Sequence, residues 1–464
     1  MSAALKNYSK VDIIKAIVTL ALPLSLLLIP TGDVFTAQMR LFCVITLMGI
    51  LCYAFENVNQ TVVSILMPIS YIFLAKVDAS VVFSPWAGYV PWATLAGLVM
   101  ATVLQSCGLL ARISYFFILR TGGSYKGVVW GISIVAFLLT MTIGDVAIPM
   151  AALAFGICMA MDLGTSRASG GIMLATAMAC LMPSFIRMLA PIFLMGLAEP
   201  VTGPMQFLGF FEVWWVHLPS ILFIFLMVFI ITKIQKPEKE INGKDYFRQK
   251  YAECGKMSVR EIKSAIILIF YLTFIIFHDQ LFANWNMSWG LAFIPMLFAV
   301  PGIGAATAED LKGINYGFTI FITACMAIGS VATSLGIGNI IADVMGPMLE
   351  GKGATGFFMI TWVMLVALNF VMTPLAMQAA FTLPLTNLAM TLGINPMALF
   401  YFMWHACDQV ILPYEYAMYM IFFAFGAIRM KDFMKVNAIK MGLDFVVVFA
   451  ILITWWKMIG FLYV

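Results

Sequence analysis

Charge is what this 464-residue chain has little of. Asp, Glu, Lys and Arg make up 10% of it, whereas about 25% is usual in a soluble protein. Hydrophobic residues make up 63%, and the mean hydropathy is +1.01. The composition excludes an ordinary soluble domain, and a net charge of +4 gives no basis for nucleic-acid binding.

Patterns of metal ligands and catalytic nucleophiles are also lacking. Eight cysteines are scattered with no CxxC or Cys/His spacing, so we expect buried thiols and no metal site. We expect no cofactor beyond a coupling ion, Na+ or H+, and no enzyme activity. The first ten residues are polar, which predicts that the first apolar segment is a retained helix rather than a cleaved signal peptide.

Long apolar runs are what the chain has in abundance. Each of several runs is about 20 residues long, enough to cross a lipid bilayer as a helix. We therefore expect an all-α polytopic membrane protein. The runs cover roughly 13–30, 37–54, 60–76, 88–107, 127–161, 169–196, 216–233, 264–283, 286–301, 314–335, 355–390, 395–426 and 442–462.

One polar stretch, 233–263, divides the chain nearly in half. It is rich in Lys and Arg, like the amino terminus and 428–440, and basic loops face the cytoplasm. We expect a protein of the cell inner (plasma) membrane, with a cytoplasmic amino terminus and the carboxyl terminus outside. The predicted divisions are an N-terminal segment with the first span (1–36), a first repeat (37–235), a cytoplasmic linker (236–262) and a second repeat (263–464).

The two halves share an order of features. In each, a span is followed by Ser-x-Gly-Leu and an amphipathic arm, and Gly108 corresponds to Gly336 at an offset of 228. The first arm is basic and the second carries acidic residues, which suits arms on opposite sides of the membrane. This pattern predicts two inverted repeats with re-entrant hairpins and a binding site between broken helices.

Three stretches resemble the divalent anion–sodium symporter (DASS) family of the ion-transporter superfamily. They are "INYGFTIFITACMAIGSVATSLGIGNIIADVM", "LPYEYAMYMIFFAFGAIRMKDFMKVNAIKMGLDFVVVF" and "LGFFEVWWVHLPSIL". The resemblance implies a homodimer with a fixed scaffold domain and a mobile transport domain, working as an elevator. It also implies an anionic substrate, usually a di- or tricarboxylate, often driven by sodium and bound by a Ser-Asn-Thr motif at each hairpin tip.

This chain is a divergent member, because both Ser-Asn-Thr motifs are missing. "IGDVAIPM" stands at the first tip and "MTPLAMQAAFTLPL" at the second, with Thr373 again 228 positions after Asp145. The stretches "CLMPSFIRMLAP" and "CDQVILPYEYAM" replace the family's proline-rich loops. The candidate substrate-binding residues are Thr142, Gly144, Asp145, Ser184, Arg187, Thr373, Pro374, Gln378, Asp408 and Glu415.

Asp145 and Arg187 are the strongest candidates for site residues in the first half, because a charged side chain is costly to bury inside a membrane span. Asp145 is either a proton or cation site, or an N-cap that holds the hairpin tip. Arg187 either contacts the anion, pairs with Asp145 and substitutes for a sodium ion, or snorkels to the interface.

The second half offers His405, Asp408 and Glu415 within eleven residues. His405 and Asp408 are three apart, so they would share a helix face and could relay protons. The alternative is a polar cluster on a loop near the aqueous boundary. The ion-coupling candidates are Asp145, Asp408 and His405.

The sequence therefore favours a secondary active transporter of a small organic anion, inserted in a lipid bilayer. We expect sodium-independent energetics, by proton coupling or exchange. Two alternatives stay open: a sodium-coupled dicarboxylate symporter with non-standard ion sites, and a ligand-binding membrane protein of this fold that does not transport.

Overall fold

The structure, a computed structural model, describes residues 10–55, 57–143, 146–186, 189–237, 244–337, 353–369 and 374–464. Throughout these ranges the chain is helical, and no strand forms apart from an isolated bridge between Ile394 and Tyr463. The all-α prediction is therefore confirmed.

The helices up to the central polar stretch are α1 Lys10–Ser25, α2 Ala37–Phe55, α3 Gln60–Phe73, α4 Ala79–Val82, α5 Val90–Ser106, α6 Leu109–Thr121, α7 Tyr125–Ile143, α8 Ala147–Ala160, α9 Arg167–Ile186, α10 Leu189–Thr202, α11 Phe210–Val216 and α12 Leu218–Ile234. Those that follow are α13 Lys244–Glu253, α14 Val259–Ile276, α15 His278–Leu281, α16 Met287–Met296, α17 Ala308–Lys312, α18 Tyr316–Ser334, α19 Gly353–Asn369, α20 Pro374–Thr391, α21 Pro396–Cys407, α22 Ala417–Ala424, α23 Met430–Val446 and α24 Ile453–Met458.

Several of these helices suit a bilayer. By length and composition, three described stretches are long and apolar enough to cross it, and five if each of two sharply bent pairs counts as one span. On α14 the side chains of Ile262, Ile266 and Ile269 are exposed, while Ile267 and Tyr271 on its other side are buried. A helix that is apolar on its exposed side as well as its buried side is typical of a membrane span.

The chain folds as two compact units, of which the first comprises Met1–Pro91, Leu194–Pro204 and Tyr316–Leu392. Within it α18 packs on α3 and α4. Tyr53 meets Phe321 edge-on at 5.0 Å between ring centroids. Gly329 lies so close to the chain at Leu197 that an added Cβ would be 2.8 Å from the Leu197 carbonyl oxygen.

The second unit comprises Trp92–Phe193, Met205–Asn315 and Gly393–Val464. Its centre is α9, which packs against α7, α8, α12 and the helices of the last segment. Tyr125 at the start of α7 donates its hydroxyl proton to the Gln235 carbonyl at 2.5 Å, directly over Gly171 of α9. A backbone without a side chain at Gly171 lets the tyrosine reach that carbonyl.

Helix starts recur at a nearly constant interval between the two halves. Tyr125 and Gly353 are 228 positions apart, Ala147 and Pro374 are 227 apart, and Leu189 and Ala417 are 228 apart. At the junction of α5 and α6, which meet at 66°, Gly108 has a positive φ of +87°, and Gly336 after α18 has +72°. A side chain other than glycine would be strained at both places.

The predicted tip residues Gly144, Asp145 and Thr373 lie outside the described residues, and described helix ends flank them. In the first half α7 ends at Ile143 and α8 begins at Ala147; in the second, α19 ends at Asn369 and α20 begins at Pro374. Proline at a helix start is favourable, because its missing N–H would have no helical partner there.

The last long helix contains a wide turn. Between α23 and α24 the residues Val447–Leu452 form a π-helical segment. Asp444 lies just before this segment and Trp456 just after it, and both side chains are buried.

Candidate functional site

The described residues with the densest buried polar contacts lie in the second unit, at the end of α21. Local sequence sets this helix: the Asn395 side chain accepts the Met397 N–H at 2.9 Å, and Pro396 takes the first helical position. The helix ends at Cys407, so His405 lies in its last turn and Asp408 caps it.

His405 is held between two polar partners from other helices. Its Nδ1 lies 2.9 Å from Oδ1 of Asp444 on α23, and its Nε2 lies 3.0 Å from the Ser220 hydroxyl on α12. Gln409 donates to the second oxygen of Asp444 at 2.6 Å. This triad of imidazole, carboxylate and hydroxyl can take up or release one proton without losing its hydrogen-bond frame.

Asp408 belongs to a second ion pair. The Lys440 ammonium on α23 lies 2.5 Å from Asp408 Oδ2 and also donates to the Asp408 backbone carbonyl. The Tyr419 hydroxyl is 3.3 Å from the same nitrogen. Lys440 is fully buried, and the side chain of Asp408 is 3% exposed. His405 and Asp408 do not contact each other directly, because the helix ends between them and each takes a partner from α23. Their role in a proton relay stays a prediction.

A small cavity joins these groups. It is lined by His217, Ser220, Tyr401, His405, Asp408 and Asp444, with Met182, Ile186 and Ile224 completing the wall. About 10 Å³ of it is open to the centre of a water molecule, which is room for roughly one water. The His217 ring packs on Tyr401 at 4.0 Å and, within the part of the chain described, neither ring nitrogen has a hydrogen-bond partner. His217 itself is buried.

Glu415 has a local contact. Its carboxylate accepts the backbone N–H groups of Ile411 at 2.9 Å and Leu412 at 3.3 Å, and so closes the loop that follows α21. The carboxylate is 3% exposed. It stabilises this loop, and its role in binding substrate stays a prediction.

The hairpin-tip candidates are described only in part. Thr142 donates its hydroxyl proton to the Leu138 carbonyl at 2.6 Å, one turn back on α7. Gly144, Asp145, Arg187 and Thr373 lie outside the described residues, as does the side chain of Ser184.

In the first unit, Pro374 begins α20, and Gln378 lies one turn further along this helix. The Gln378 side chain is fully buried, and neither polar atom of its amide meets a partner among the residues that the structure covers. A buried amide in that condition is costly, so it marks a place where a polar ligand or chain group would be accommodated.

Five residues of the network were not predicted as site residues: Ser220, Gln409, Tyr419, Lys440 and Asp444. One signal was present in the sequence. Lys440 and Asp444 are four apart and so lie on one helix face, and Asp444 interrupts the apolar run "MGLDFVVVFA". The stretch that ends at Lys440 was predicted to be a basic cytoplasmic segment, but its last lysine is buried.

A polytopic helical fold with broken helices and a buried charged network defines a membrane transporter. The chain belongs to the sodium:sulfate symporter family: the model of the sodium:sulfate symporter transmembrane region matches residues 10–462. This confirms the resemblance to the divalent anion–sodium symporters. The protein is a secondary transporter of anions, and its family and structural neighbours are transporters rather than enzymes.

Two solved structures share the fold. The Alcanivorax borkumensis YdaH transporter, reported to have an unusual topology, is 13% identical, with a TM-score of 0.54 over 97% of this chain and 98% of that one. Neisseria gonorrhoeae MtrF, reported to illuminate a class of antimetabolite efflux pumps, is 12% identical, with a TM-score of 0.54 over 94% and 97%. No curated protein matches the chain.

Proposed function

We propose that this protein transports a small organic anion, a di- or tricarboxylate or a similar molecule, by proton coupling or exchange rather than by ordinary two-site sodium symport. The observation that carries the proposal is the buried contact of His405 with Asp444 and Ser220 beside a cavity of water size.

A protonatable group in that position suits proton coupling. Imidazole is the side chain whose charge ordinarily changes between pH 5 and 8, and His405 has a carboxylate and a hydroxyl within hydrogen-bond distance. Asp444 and Asp408 face His405 from α23 and from the end of α21, and Lys440 balances part of their charge. A proton taken up by His405 would change the net charge of the cavity during transport.

The amino-acid sequences at the two predicted hairpin tips also favour a mechanism that does not depend on sodium. Where the family keeps Ser-Asn-Thr, this chain has Gly144-Asp145-Val146 and Thr373-Pro374. Asp145 and Arg187 offer fixed charges in place of mobile ions, and Gln378 offers a buried amide for the substrate.

The mechanism is proposed to be an elevator in a homodimer of inverted repeats. The recurrence of helix starts at 227 to 228 positions supports the repeats. Basic residues in the central linker support a plasma-membrane protein with its amino terminus in the cytoplasm and its carboxyl terminus outside.

Uptake into proteoliposomes tests the proposal. Labelled succinate, citrate and sulfate would each be offered with an inward sodium gradient, with an inward proton gradient, and with unlabelled substrate trapped inside. We expect a carboxylate to accumulate with the proton gradient or the trapped substrate, and little change when choline replaces sodium. Strict and steep sodium dependence would contradict the coupling proposal, and uptake of sulfate alone would contradict the substrate class.

A thermal-shift measurement with the same compounds separates transport from binding alone. A ligand that prefers the folded protein raises its unfolding temperature. Stabilisation by a carboxylate without uptake under any gradient would instead identify a ligand-binding protein that does not transport.

A further inference from the structure

The Lys440 ammonium occupies a set of oxygen ligands. Its Nζ meets the Asp408 carboxylate, the Asp408 backbone carbonyl and the Tyr419 hydroxyl, and the lysine is fully buried. A buried ammonium without such partners would cost several kcal/mol. Carboxylate, carbonyl and hydroxyl oxygens are also the groups that would coordinate a small hard cation.

These oxygens lie at the carboxyl end of α21. Asp408 caps α21, and the last carbonyls of a helix lack helical partners and carry the negative end of its dipole. In transporters built from broken helices, such helix ends and freed carbonyls coordinate the coupling Na+.

We propose that Lys440 is a tethered cation, whose ammonium permanently fills a sodium site formed by Asp408 and Tyr419. The consequence for transport rests on the sodium-independent function proposed above, whereas the site itself can be tested by binding alone. One positive charge is supplied by the chain, so no mobile cation is needed there to offset Asp408.

A second observation points to the same ligand. The other carboxylate oxygen of Asp408, Oδ1, is buried and has no hydrogen-bond partner within the described ranges, and Asp408 lines the small cavity. Truncation of Lys440 would remove the partner of Asp408 Oδ2 and leave the Asp408 carbonyl with only the Val410 N–H, at 3.0 Å. This is the arrangement that a Na+ ion entering from solution would require.

If the Lys440–Asp408 ion pair had only a structural role, the stability of a Lys440 variant would depend on salt in a different way. Without the lysine, a structural pair leaves an uncompensated carboxylate, and the loss of stability would be the same in any salt of equal ionic strength. A tethered cation leaves a vacant site, and the loss would be reversed by Na+ specifically.

The experiment compares unfolding temperatures of the purified full chain, wild type and Lys440→Ala, at constant ionic strength in NaCl, KCl or choline chloride. We expect no difference between NaCl and choline chloride for the wild type. For Lys440→Ala we expect a lower temperature in choline and a saturable rise of about 3 °C or more as Na+ replaces choline. An equal response of Lys440→Ala to all three salts would overturn the proposal.

Two controls sharpen the result. Lys435→Ala removes an exposed lysine from the same helix and should respond to Na+ no more than the wild type does. Lys440→Ala combined with Asp408→Asn should lose the Na+ response, because the charged ligand is gone.

If Lys440→Ala fails to accumulate without sodium, both it and Lys440→Ser are purified with NaCl throughout. Recovery of folded protein only in the presence of Na+ supports the site, and failure of both variants in NaCl contradicts it. Strict sodium dependence of wild-type uptake would contradict the proposed function. The effect of Na+ on the unfolding temperature of Lys440→Ala would still test whether Lys440 fills a sodium site.

Discussion

The imidazole of His405 and the carboxylate of Asp444 are 2.9 Å apart, although 39 positions separate them in the chain. The pair is buried, with side-chain exposures of 10% and 2%. Asp444 fixes the orientation of the ring, and Ser220 takes the opposite nitrogen at 3.0 Å. The His405 ring therefore links three helices, α21, α23 and α12, through its two nitrogens.

Replacement of His405 by Gln should flatten the pH dependence of transport between pH 5 and 8. Glutamine keeps a polar group near Asp444 and Ser220 but does not titrate. Initial uptake rates in proteoliposomes across this range measure the effect. The matched control is His278→Gln, whose ring contacts the Trp285 carbonyl outside this network. A pH profile equal to that of the wild type would remove His405 from coupling.

Asp145→Asn tests the first hairpin tip, where the family keeps Ser-Asn-Thr. Asparagine can still cap a helix but cannot take up a proton at these pH values. If Asp145 is a coupling site, transport should fall at least about tenfold, or its pH optimum should shift, while substrate still raises the unfolding temperature. Unchanged transport and pH profile would assign Asp145 to capping alone.

Gly171→Ala should destabilise the second unit. The destabilisation that it causes should be smaller when Tyr125 is also replaced by Phe. A Cβ at Gly171 would lie 2.0 Å from the Tyr125 hydroxyl oxygen. We expect a cost of about 2 kcal/mol from this overpacking. Loss of the hydroxyl alone should cost about 1 kcal/mol, because the Gln235 carbonyl loses its donor.

The Gly171→Ala and Tyr125→Phe double variant should lose less stability than the sum of the singles, since no hydroxyl remains to collide. Thermal midpoints of the four proteins give the coupling. Gly156→Ala is the control, because no atom lies within 4 Å of a Cβ there. Strict additivity would mean that the two residues do not compete for space.

Arg112→Gln should destabilise the protein at pH 7, and less near pH 3. The Arg112 guanidinium on α6 contacts the Glu261 carboxylate at 2.8 and 3.2 Å. Glu261 lies in the polar stretch 233–263, before the apolar run that begins at 264. Its hydrogen bond holds the pKa of Glu261 below the ordinary value. The resulting stability is present above the ordinary carboxyl pKa and is lost as pH falls through the lowered one.

The expected loss at pH 7 is about 3 kcal/mol, because the remaining carboxylate stays largely buried. Thermal midpoints of variant and wild type at both pH values test it. Lys250→Gln, which breaks an exposed pair with Glu253, should change the midpoint little. A pH-independent loss in Arg112→Gln would point to its contacts with the Cys254 and Gly255 carbonyls instead.

Much of the helical plan could be predicted from sequence, because apolar run length and glycine position are local signals. The break after Ile143 and the bend at Gly108 both lie where the sequence placed them. The inverted relation of the halves remains a prediction, since it concerns direction through the membrane and not local pattern.

The pairing of charges could not be predicted in the same way. Asp408 and His405 are near in sequence, but their partners Lys440 and Asp444 come from another helix. Such contacts depend on how α21 and α23 pack, which spacing along one helix does not specify. Lys440 ends a basic stretch, so the sequence alone predicts that it is exposed; its burial depends on contacts with other helices.

The π-helical segment Val447–Leu452 holds more residues per turn than an α-helix does. Each residue of an α-helix advances the side chain by about 100°. Removal of one residue there would let i→i+4 hydrogen bonds replace the i→i+5 bonds. Asp444 would still face His405, and the Trp456 indole N–H would keep the Val216 carbonyl that it now reaches at 3.0 Å. Val447, Val448 and Leu452 of this segment are buried, so a polar substitution at any of the three should be costly.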